Sequence, residues 1–150
     1  MENIDNRINK EILLDFLQKM DCCFPVHLSS KVRLDLYADK LLQYATICAE
    51  FDGEEIIGAV IGYTNRLSDR IAYICLVGCL PSYQNRGIAK KLLFEFFEVC
   101  RNKKIPAVHL YTDATNYKAI DLYSNLGFEK YIVNNEKRPN DVHLIYYFEE

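Results

Sequence analysis

A strand–loop–helix transition at residues 71–102 constrains the fold more than any other feature of this chain. Residues 71–80 are apolar at nearly every position, as in a strand buried on both faces. After a short turn comes an apolar stripe at helical spacing that runs to about residue 102. The segment that joins strand and helix reads Gln84-Asn85-Arg86-Gly87-Ile88-Ala89.

This loop has the composition of an anion-binding turn. Gly87 and the small Ala89 let backbone approach a ligand closely, and the free N–H groups of a helix start favour an anion. The alternative is a surface turn, but Arg86 and Lys90 would then place cations where they oppose the helix dipole. An anionic ligand removes this conflict, so the loop predicts a phosphate site.

A second segment lies about thirty residues downstream. It reads Asn116-Tyr117-Lys118-Ala119-Ile120-Asp121-Leu122-Tyr123, followed by Leu126-Gly127-Phe128. Together the two segments resemble the two signatures of the GNAT superfamily of acetyl-CoA-dependent N-acetyltransferases. The first matches Gln/Arg-x-x-Gly-x-Gly/Ala, and the second matches Asn-x-x-Ala-hydrophobic-x-x-Tyr-x-x-x-Gly-Phe. The resemblance is strongest over residues 71–128, and it depends on the two segments occurring together.

The hydrophobic periodicity predicts the element order ααβββαβαββ in a single domain covering residues 1–150. Such an order indicates an α+β fold. The resemblance implies more: a GNAT fold, with a mixed, mostly antiparallel central sheet flanked by helices. In that fold, strands 71–80 and 106–112 splay apart to admit the cofactor. Family members usually begin with a strand before the first helix, and here only a few residues could supply it.

Local signals place the elements. The apolar spacing predicts a first helix over about residues 6–20 and a second that Ser29 or Ser30 would cap. Asp52-Gly53 predicts a hairpin, and residues 65–69 a second turn. A helix from Thr115 should end at Gly127, and two final strands are expected near 128–133 and 142–148.

Charge and cysteine usage exclude several classes. The net charge of −3 does not suit sequence-independent nucleic-acid binding. No apolar stretch approaches the ~20 residues of a membrane span, and the first residues lack a signal-peptide pattern. The cysteines lack C-x-x-C pairs and mostly fall in apolar runs, which predicts a reduced, cytoplasmic protein without structural disulfide or zinc. They are Cys22, Cys23, Cys48, Cys75, Cys79 and Cys100.

The resemblance implies acetyl-CoA as co-substrate, without a metal. Backbone amides at the loop would hold the pyrophosphate, and backbone of the preceding strand would bind the thioester oxygen and the pantetheine arm. Tyr123, which shares a helical face with Asn116, would protonate the departing thiolate, since a phenol is neutral at pH 7. The expected cofactor-binding residues are Val77, Gly78, Cys79, Gln84, Asn85, Arg86, Gly87, Ile88, Ala89, Asn116 and Tyr123.

The general base stays open. Many relatives carry a carboxylate on the strand that here spans 71–80, which contains no Asp or Glu. Bulk solvent could serve, and a structural role is favoured for each candidate side chain. An acetyl-cysteine at Cys75 or Cys79 is disfavoured, because the family transfers directly within a ternary complex. The candidates are Glu50, Tyr73, His109 and Asp113.

The acceptor is expected between residues 22–37 and 134–143. Phe24 to Leu42 loosely resembles acetyltransferases of bacterial surface-glycan synthesis, which favours a small-molecule amine such as an amino sugar. Lys137 and Arg138 could attract an anionic acceptor, although a solvated loop explains them too. Two alternatives are a non-catalytic acetyl-CoA-binding sensor and a protein-modifying acetyltransferase. A dinucleotide-binding reading fails, since no G-x-G-x-x-G occurs. The family often dimerises through its last strands, so a homodimer is the default expectation.

Overall fold

The computed structural model of the protein describes residues 5–65 and 69–148. In these ranges the chain follows the predicted order of helices and strands, with short 3-10 turns at Leu28–Ser30 and Pro81–Tyr83. The elements are α1 (Lys10–Asp21), α2 (Leu34–Tyr44), β1 (Thr46–Asp52), β2 (Glu55–Tyr63), β3 (Ala72–Cys79), α3 (Ile88–Asn102), β4 (Ala107–Asp113), α4 (Tyr117–Leu126), β5 (Glu129–Lys130) and β6 (Asp141–Tyr147).

All the strands belong to one sheet, in the order β1-β2-β3-β4-β6-β5. Neighbours are antiparallel except for β3 and β4, which run parallel. A parallel pair needs a crossover connection, and α3 supplies it. The predicted α+β class and the mixed, mostly antiparallel sheet are therefore confirmed.

Helices cover the sheet on both faces and create two cores. On one face, α1 and α2 pack onto β1 and β2 through fully buried side chains such as Phe16 and Leu41. On the other, α3 inserts Phe96 and Phe97 into a core that includes side chains of β1 to β4 and β6. Each such apolar side chain contributes roughly 1.5–3 kcal/mol by leaving water.

Two glycines adopt the backbone conformations that the predicted turn and helix end require. Gly53 adopts φ +62° in the β1–β2 hairpin, and Gly127 ends α4 in the left-handed region at φ +110°. The first helix begins later than expected, at Lys10 rather than near residue 6. The reason is Asn9, whose side chain accepts a hydrogen bond from the Ile12 amide and caps the helix there.

Other expectations need correction. The prediction that Ser29 or Ser30 caps α2 is wrong, because α2 starts at Leu34 after Arg33 and has no side-chain cap. The strand predicted near 128–133 is reduced to Glu129–Lys130. Residues 5–9 form no strand ahead of α1, and residues 1–4 lie outside the described residues. Of the turn predicted at 65–69, residues 66–68 also lie outside them.

Within the described ranges, no helix is both long and apolar enough to cross a membrane. The same residues contain no group of three or more His, Cys, Asp or Glu side chains arranged to hold a metal ion.

Candidate active site

A cleft opens where β3 and β4 separate. The two strands are paired only from Ala72 and Val108 to Ile74 and Leu110. Beyond this point the facing backbone groups of β3 have no strand partner on that side. The cleft has a volume of about 590 Å³. The splay of the central strands that the family resemblance implies is thus present.

A β-bulge marks the start of the splay. Ile61 of β2 pairs with Leu76 and Gly62 pairs with Ile74, so Cys75 is an extra residue on β3. A bulge bends its strand and increases the local twist. Gly62 is required opposite it, because a Cβ there would lie 2.4 Å from the Tyr73 carbonyl oxygen.

The loop at one end of the cleft leaves the first backbone amides of α3 without a side-chain cap. Gly87 is the N-cap of α3 at φ +76°, and no side chain caps the helix. Asn85 is also left-handed, at φ +65°, a conformation that Asn tolerates. The first amides of α3 therefore lack intrahelical partners. The space beside the Gly87 Cα is empty to 4 Å, so a ligand can reach them.

Side chains around the loop fix it and add positive charge. The Gln84 side-chain amide donates to the Cys79 carbonyl at 3.0 Å, and Lys118 donates to Gln84 at 3.4 Å. Lys90 and Lys118 line the cleft. Arg86 does not, because its guanidinium folds back onto the Ser82 carbonyl at 3.2 Å and over the Tyr83 ring. Apart from Arg86, every residue expected to bind the cofactor lines the cleft.

Helix α4 forms the opposite wall. The Asn116 side chain caps the helix by accepting from the Ala119 amide at 3.4 Å. Tyr123 is 5% exposed, and burial raises the pKa of its phenol above the ordinary value. Its hydroxyl makes no hydrogen bond to the part of the chain that the structure describes, so it is free to act on a ligand in the cleft.

The base candidates differ in position. Glu50 lies outside the cleft, in an ion pair with Lys91 at 2.7 Å. Asp113 lines the cleft, and its carboxylate accepts hydrogen bonds from the amide and the hydroxyl of Thr115, which lower its pKa. Tyr73 and His109 do not line the cleft, and their rings pack together with centroids 5.0 Å apart.

The cleft thiols are poor nucleophiles. Burial raises the pKa of Cys75 to about 11 and also raises the pKa of Cys79. Both are therefore protonated at neutral pH, and only a thiolate attacks efficiently. These shifts argue against an acetyl-cysteine.

The far half of the cleft has an apolar wall from the α1–α2 connection. Asp21 fixes this connection by accepting from the Ser29 amide at 2.7 Å and from its hydroxyl at 2.6 Å. Arg138 and Asp141 lie across the cleft, with Tyr111 beside them. The wall consists of Cys23, Phe24, Pro25, Val26 and Leu28.

Sequence reasoning missed two cleft residues. Lys118 approaches Gln84 across 34 positions of the chain. Tyr111 donates a hydrogen bond to Glu136, which lies 25 positions away. Neither partner stands at a local spacing that a motif could reveal.

Comparison with known proteins agrees with this geometry. The model of the acetyltransferase (GNAT) family matches residues 13–128, more than half of the chain. Mycothiol acetyltransferase of Thermomonospora curvata is 37% identical over 79 residues, covering 51% of this chain and 27% of that protein. N-alpha-acetyltransferase 50 of Danio rerio is 31% identical over 80 residues, covering 49% of this chain and 46% of that protein.

Solved structures share the fold. The structure of Arabidopsis thaliana Naa50 in complex with the bisubstrate analogue CoA-Ac-MVNAL superposes with a TM-score of 0.69 at 20% identity, covering 94% of this chain and 95% of that one. The two curated relatives named above, in contrast, match this chain over less than half of their own length.

Proposed function

The chain belongs to the acetyltransferase (GNAT) family, and we propose that it transfers an acetyl group from acetyl-CoA to a primary amine. The observation that carries the proposal is the splay of β3 from β4. It opens one cleft that joins uncapped helical amides, unpaired strand backbone and the Tyr123 hydroxyl. These are the groups that acetyl transfer requires.

The residues fit an elongated anionic donor. Amides at the start of α3, with Lys90 and Lys118 nearby, would hold the pyrophosphate. Backbone at Val77, Gly78 and Cys79 would hold the arm and stabilise negative charge that develops on the thioester oxygen. Acetyl-CoA, when bound, supplies the activated acetyl group; the protein supplies alignment and proton transfer.

Tyr123 acts as general acid in this mechanism. As the amine nitrogen bonds to the acetyl carbon, the carbon–sulfur bond breaks, and Tyr123 gives its proton to the departing sulfur. The nitrogen loses one proton on becoming a neutral amine and a second on becoming an amide. The second of these protons returns to Tyr123 through solvent and replaces the proton given to sulfur. The first goes to solvent, so each turnover releases one proton.

The acceptor wall favours an amine that carries an apolar group. Phe24, Pro25, Val26 and Leu28 offer no side-chain hydrogen bond, and sugar hydroxyls buried against them would lose their partners. An α-amine at a polypeptide N terminus with an apolar first side chain suits this wall. The Naa50 relatives support that class, the mycothiol relative supports a small-molecule amine, and the amino sugar stays a prediction.

The test is an amine screen that follows free thiol release from acetyl-CoA, with product masses as a second readout. The panel holds the peptide Met-Val-Asn-Ala-Leu, glucosamine and spermidine. We expect acetylation of the peptide α-amine to exceed that of the other two. If calorimetry shows that acetyl-CoA binds but no amine is acetylated, the protein is a binding module and not an acetyltransferase.

A variant of the wall checks the acceptor class. Val26 is 44% exposed, so Val26→Asp should preserve the fold while it repels an apolar group from the wall. We expect kcat/KM for the peptide to fall about tenfold, because an apolar contact of one or two methylenes is worth roughly 1–3 kcal/mol. The dissociation constant of acetyl-CoA should not change. Val32→Asp, at a residue that is 38% exposed and does not line the cleft, is the control.

A further inference from the structure

Four side chains form a hydrogen-bonded row that begins at Tyr111, in the acceptor half of the cleft, and ends at His109, away from the cleft. Tyr111 donates to one oxygen of the Glu136 carboxylate. The other oxygen lies 2.7 Å from His143 Nδ1. His143 Nε2 lies 2.7 Å from His109 Nδ1. We call this row the relay; only its first member lines the cleft.

The chemistry of the partners fixes the direction of both bonds to Glu136. An ionised carboxylate only accepts, so His143 donates from Nδ1. In the relay that we propose, His143 accepts at Nε2 and His109 donates from its own Nδ1, which is one of the two arrangements that the His109–His143 contact allows. Glu136 is ionised at neutral pH, since the hydrogen bond from Tyr111 is the largest cause that lowers its pKa to about 2.

Packing holds the relay in one geometry. The Tyr111 and His143 rings are stacked, with centroids 4.0 Å apart and planes inclined by 19°. The Arg138 guanidinium lies 5.1 Å from the centre of the Tyr111 ring. His143 is 8% exposed, so bulk water cannot replace its bond to Glu136.

We propose that Tyr111 removes the first proton from the acceptor amine, with Glu136 and His143 as positioning residues. The proposal rests on the proposed acetyl transfer. Because the Tyr111 proton points at Glu136, the oxygen lone pairs are left for the amine. An N–H bond of the ammonium breaks and an O–H bond forms at Tyr111, while the original Tyr111 proton passes to Glu136. Glu136, with its side chain 23% exposed, releases that proton to solvent.

The assignment of Tyr111 supplies a general base in a protein whose strand β3 contains no Asp or Glu. Glu50 lies outside the cleft, and Asp113 is held by Thr115. Tyr73 and His109 lie behind Tyr111 and away from the cleft. Unlike these four candidates, Tyr111 combines a position in the cleft with a hydrogen bond to a carboxylate, Glu136, that can take its proton.

Several titratable and charged groups face the relay and enter its pH dependence. The β2–β3 connection contributes Asp69, whose charge acts on His109. The others come from β3, from the segment before β6 and from β6 itself. Tyr131, which follows β5, also packs against both histidines. The groups are Asp69, Tyr73, Tyr131, Glu136, Lys137, Arg138 and Asp141.

Kinetics of Tyr111→Phe against the peptide Met-Val-Asn-Ala-Leu test the catalytic role. The ring and its stacking remain, and only the hydroxyl is lost. We expect kcat at pH 7 to fall about 100-fold, the usual value of a general base, with KM for acetyl-CoA unchanged. The loss should shrink toward pH 9, where more amine arrives neutral. Tyr147→Phe, on β6 and 55% exposed, is the control. Unchanged kcat and pH profile in Tyr111→Phe would overturn the proposal.

Two substitutions of His143 separate positioning from packing. His143→Phe keeps an aromatic ring beside Tyr111 but removes the donor to Glu136, and we expect a 10-fold or larger loss of kcat that also shrinks at high pH. His143→Gln restores a donor and should recover most of the rate. Equal losses that do not vary with pH would mean a purely structural histidine.

A measurement without substrate distinguishes failure of the relay from failure of the proposed function. Nitrogen-15 NMR of the free protein at pH 7.5 reports which ring nitrogens carry protons. We expect protonated Nδ1 and bare Nε2 on His143, and protonated Nδ1 on His109. A bare Nδ1 on His143 would overturn the relay even if the wild type acetylates the peptide. Failure of acetylation by the wild type, with these tautomers present, would overturn the use of Tyr111 as a base along with the acceptor.

Discussion

At the scale of single residues, Tyr123 is one of eleven tyrosines and differs from the rest in its setting. It lines the cleft, is 5% exposed, and has a raised pKa because it is buried. A buried phenol that stays protonated well above neutral pH can donate to a leaving thiolate. The same burial means that deprotonation of Tyr123 should not limit the rate at pH 8 or 9.

Tyr123→Phe should therefore lower kcat about 100-fold and leave the dissociation constant of acetyl-CoA unchanged. The substitution removes one hydroxyl without creating a cavity. Steady-state thiol release and calorimetry measure the two quantities. Tyr146→Phe is the matched control, because its ring stacks on Phe97 at 4.8 Å on the same face of the sheet and does not line the cleft. Wild-type turnover in Tyr123→Phe would remove the general acid from the mechanism.

His109 makes the free energy of unfolding depend on pH. Burial is the largest cause that lowers its pKa in the folded protein below the ordinary 6.5, followed by the interaction with His143. Above pH 6.5 the imidazole is neutral in both states and its contribution is complete. Below pH 6.5 the unfolded chain takes up the proton first, so stability is lost until the pH falls through the folded pKa.

The expected loss is at most about 1.4 kcal/mol for each pH unit in that window. Urea unfolding at pH 7.5, 6.5 and 5.5 measures it, and His109→Gln, which keeps a donor toward His143, should lose less stability than the wild type. Glu136 does not interfere, because its lowered pKa acts only below its ordinary value of 4.5. Equal losses in the two proteins would assign the pH dependence to other groups.

At the scale of elements, the bulge at Cys75 converts an ordinary sheet into one with a cleft. It depends on Gly62, since any Cβ would meet the Tyr73 carbonyl at 2.4 Å and the Phe96 ring at 2.7 Å. A carbonyl of a paired strand cannot rotate away as a side chain can. Gly62 therefore ties the position of the splay to the pairing of β2 and β3.

Gly62→Ala should destabilise the protein by roughly 1–3 kcal/mol through overpacking and should weaken acetyl-CoA binding. Gly58→Ala is the comparison. Its Cβ would meet the Ile88 Cγ2 at 2.8 Å, and that side chain can adjust, so the loss should be smaller. Urea unfolding and calorimetry test both. If Gly62→Ala were as stable as the wild type, the bulge would not need a glycine.

The elements show how far the sequence can be read. Gly53, Gly127 and the loop at Gly87 are visible because a turn or cap needs its residue at a local spacing. The predicted cap of α2 is wrong because Ser29 bonds to Asp21 and Ser30 bonds to the His27 carbonyl instead of to the helix. The extra residue in β3, Cys75, cannot be predicted from the sequence, because it depends on the register between β3 and β2. The partners of Tyr111 are also invisible, because Glu136 and His143 reach it only through the pairing of β4 with β6.

At the scale of the whole molecule, the sheet consists of two parts joined along a short seam. On one face, α1 and α2 pack against the part β1–β3, while on the other face α3 lies across both parts, beside α4. In the described structure the seam between β3 and β4 has three residue pairs, whereas β4 and β6 have seven. A ligand in the cleft would contact both parts and replace the missing strand pairing.

Acetyl-CoA should therefore stabilise the molecule as a unit. At ~100 times its dissociation constant a ligand adds roughly 2.7 kcal/mol, which for a domain of this size raises Tm by about 5–10 °C. Hydrogen exchange locates the effect: protection should rise over residues 75–80, 86–91 and 110–118 and change little in β1. NAD and ATP at the same concentration are controls for a generic polyphosphate. An equal shift with ATP, or protection limited to the loop at 86–91, would mean that the strands do not hold the ligand and that the splay is not the cofactor site.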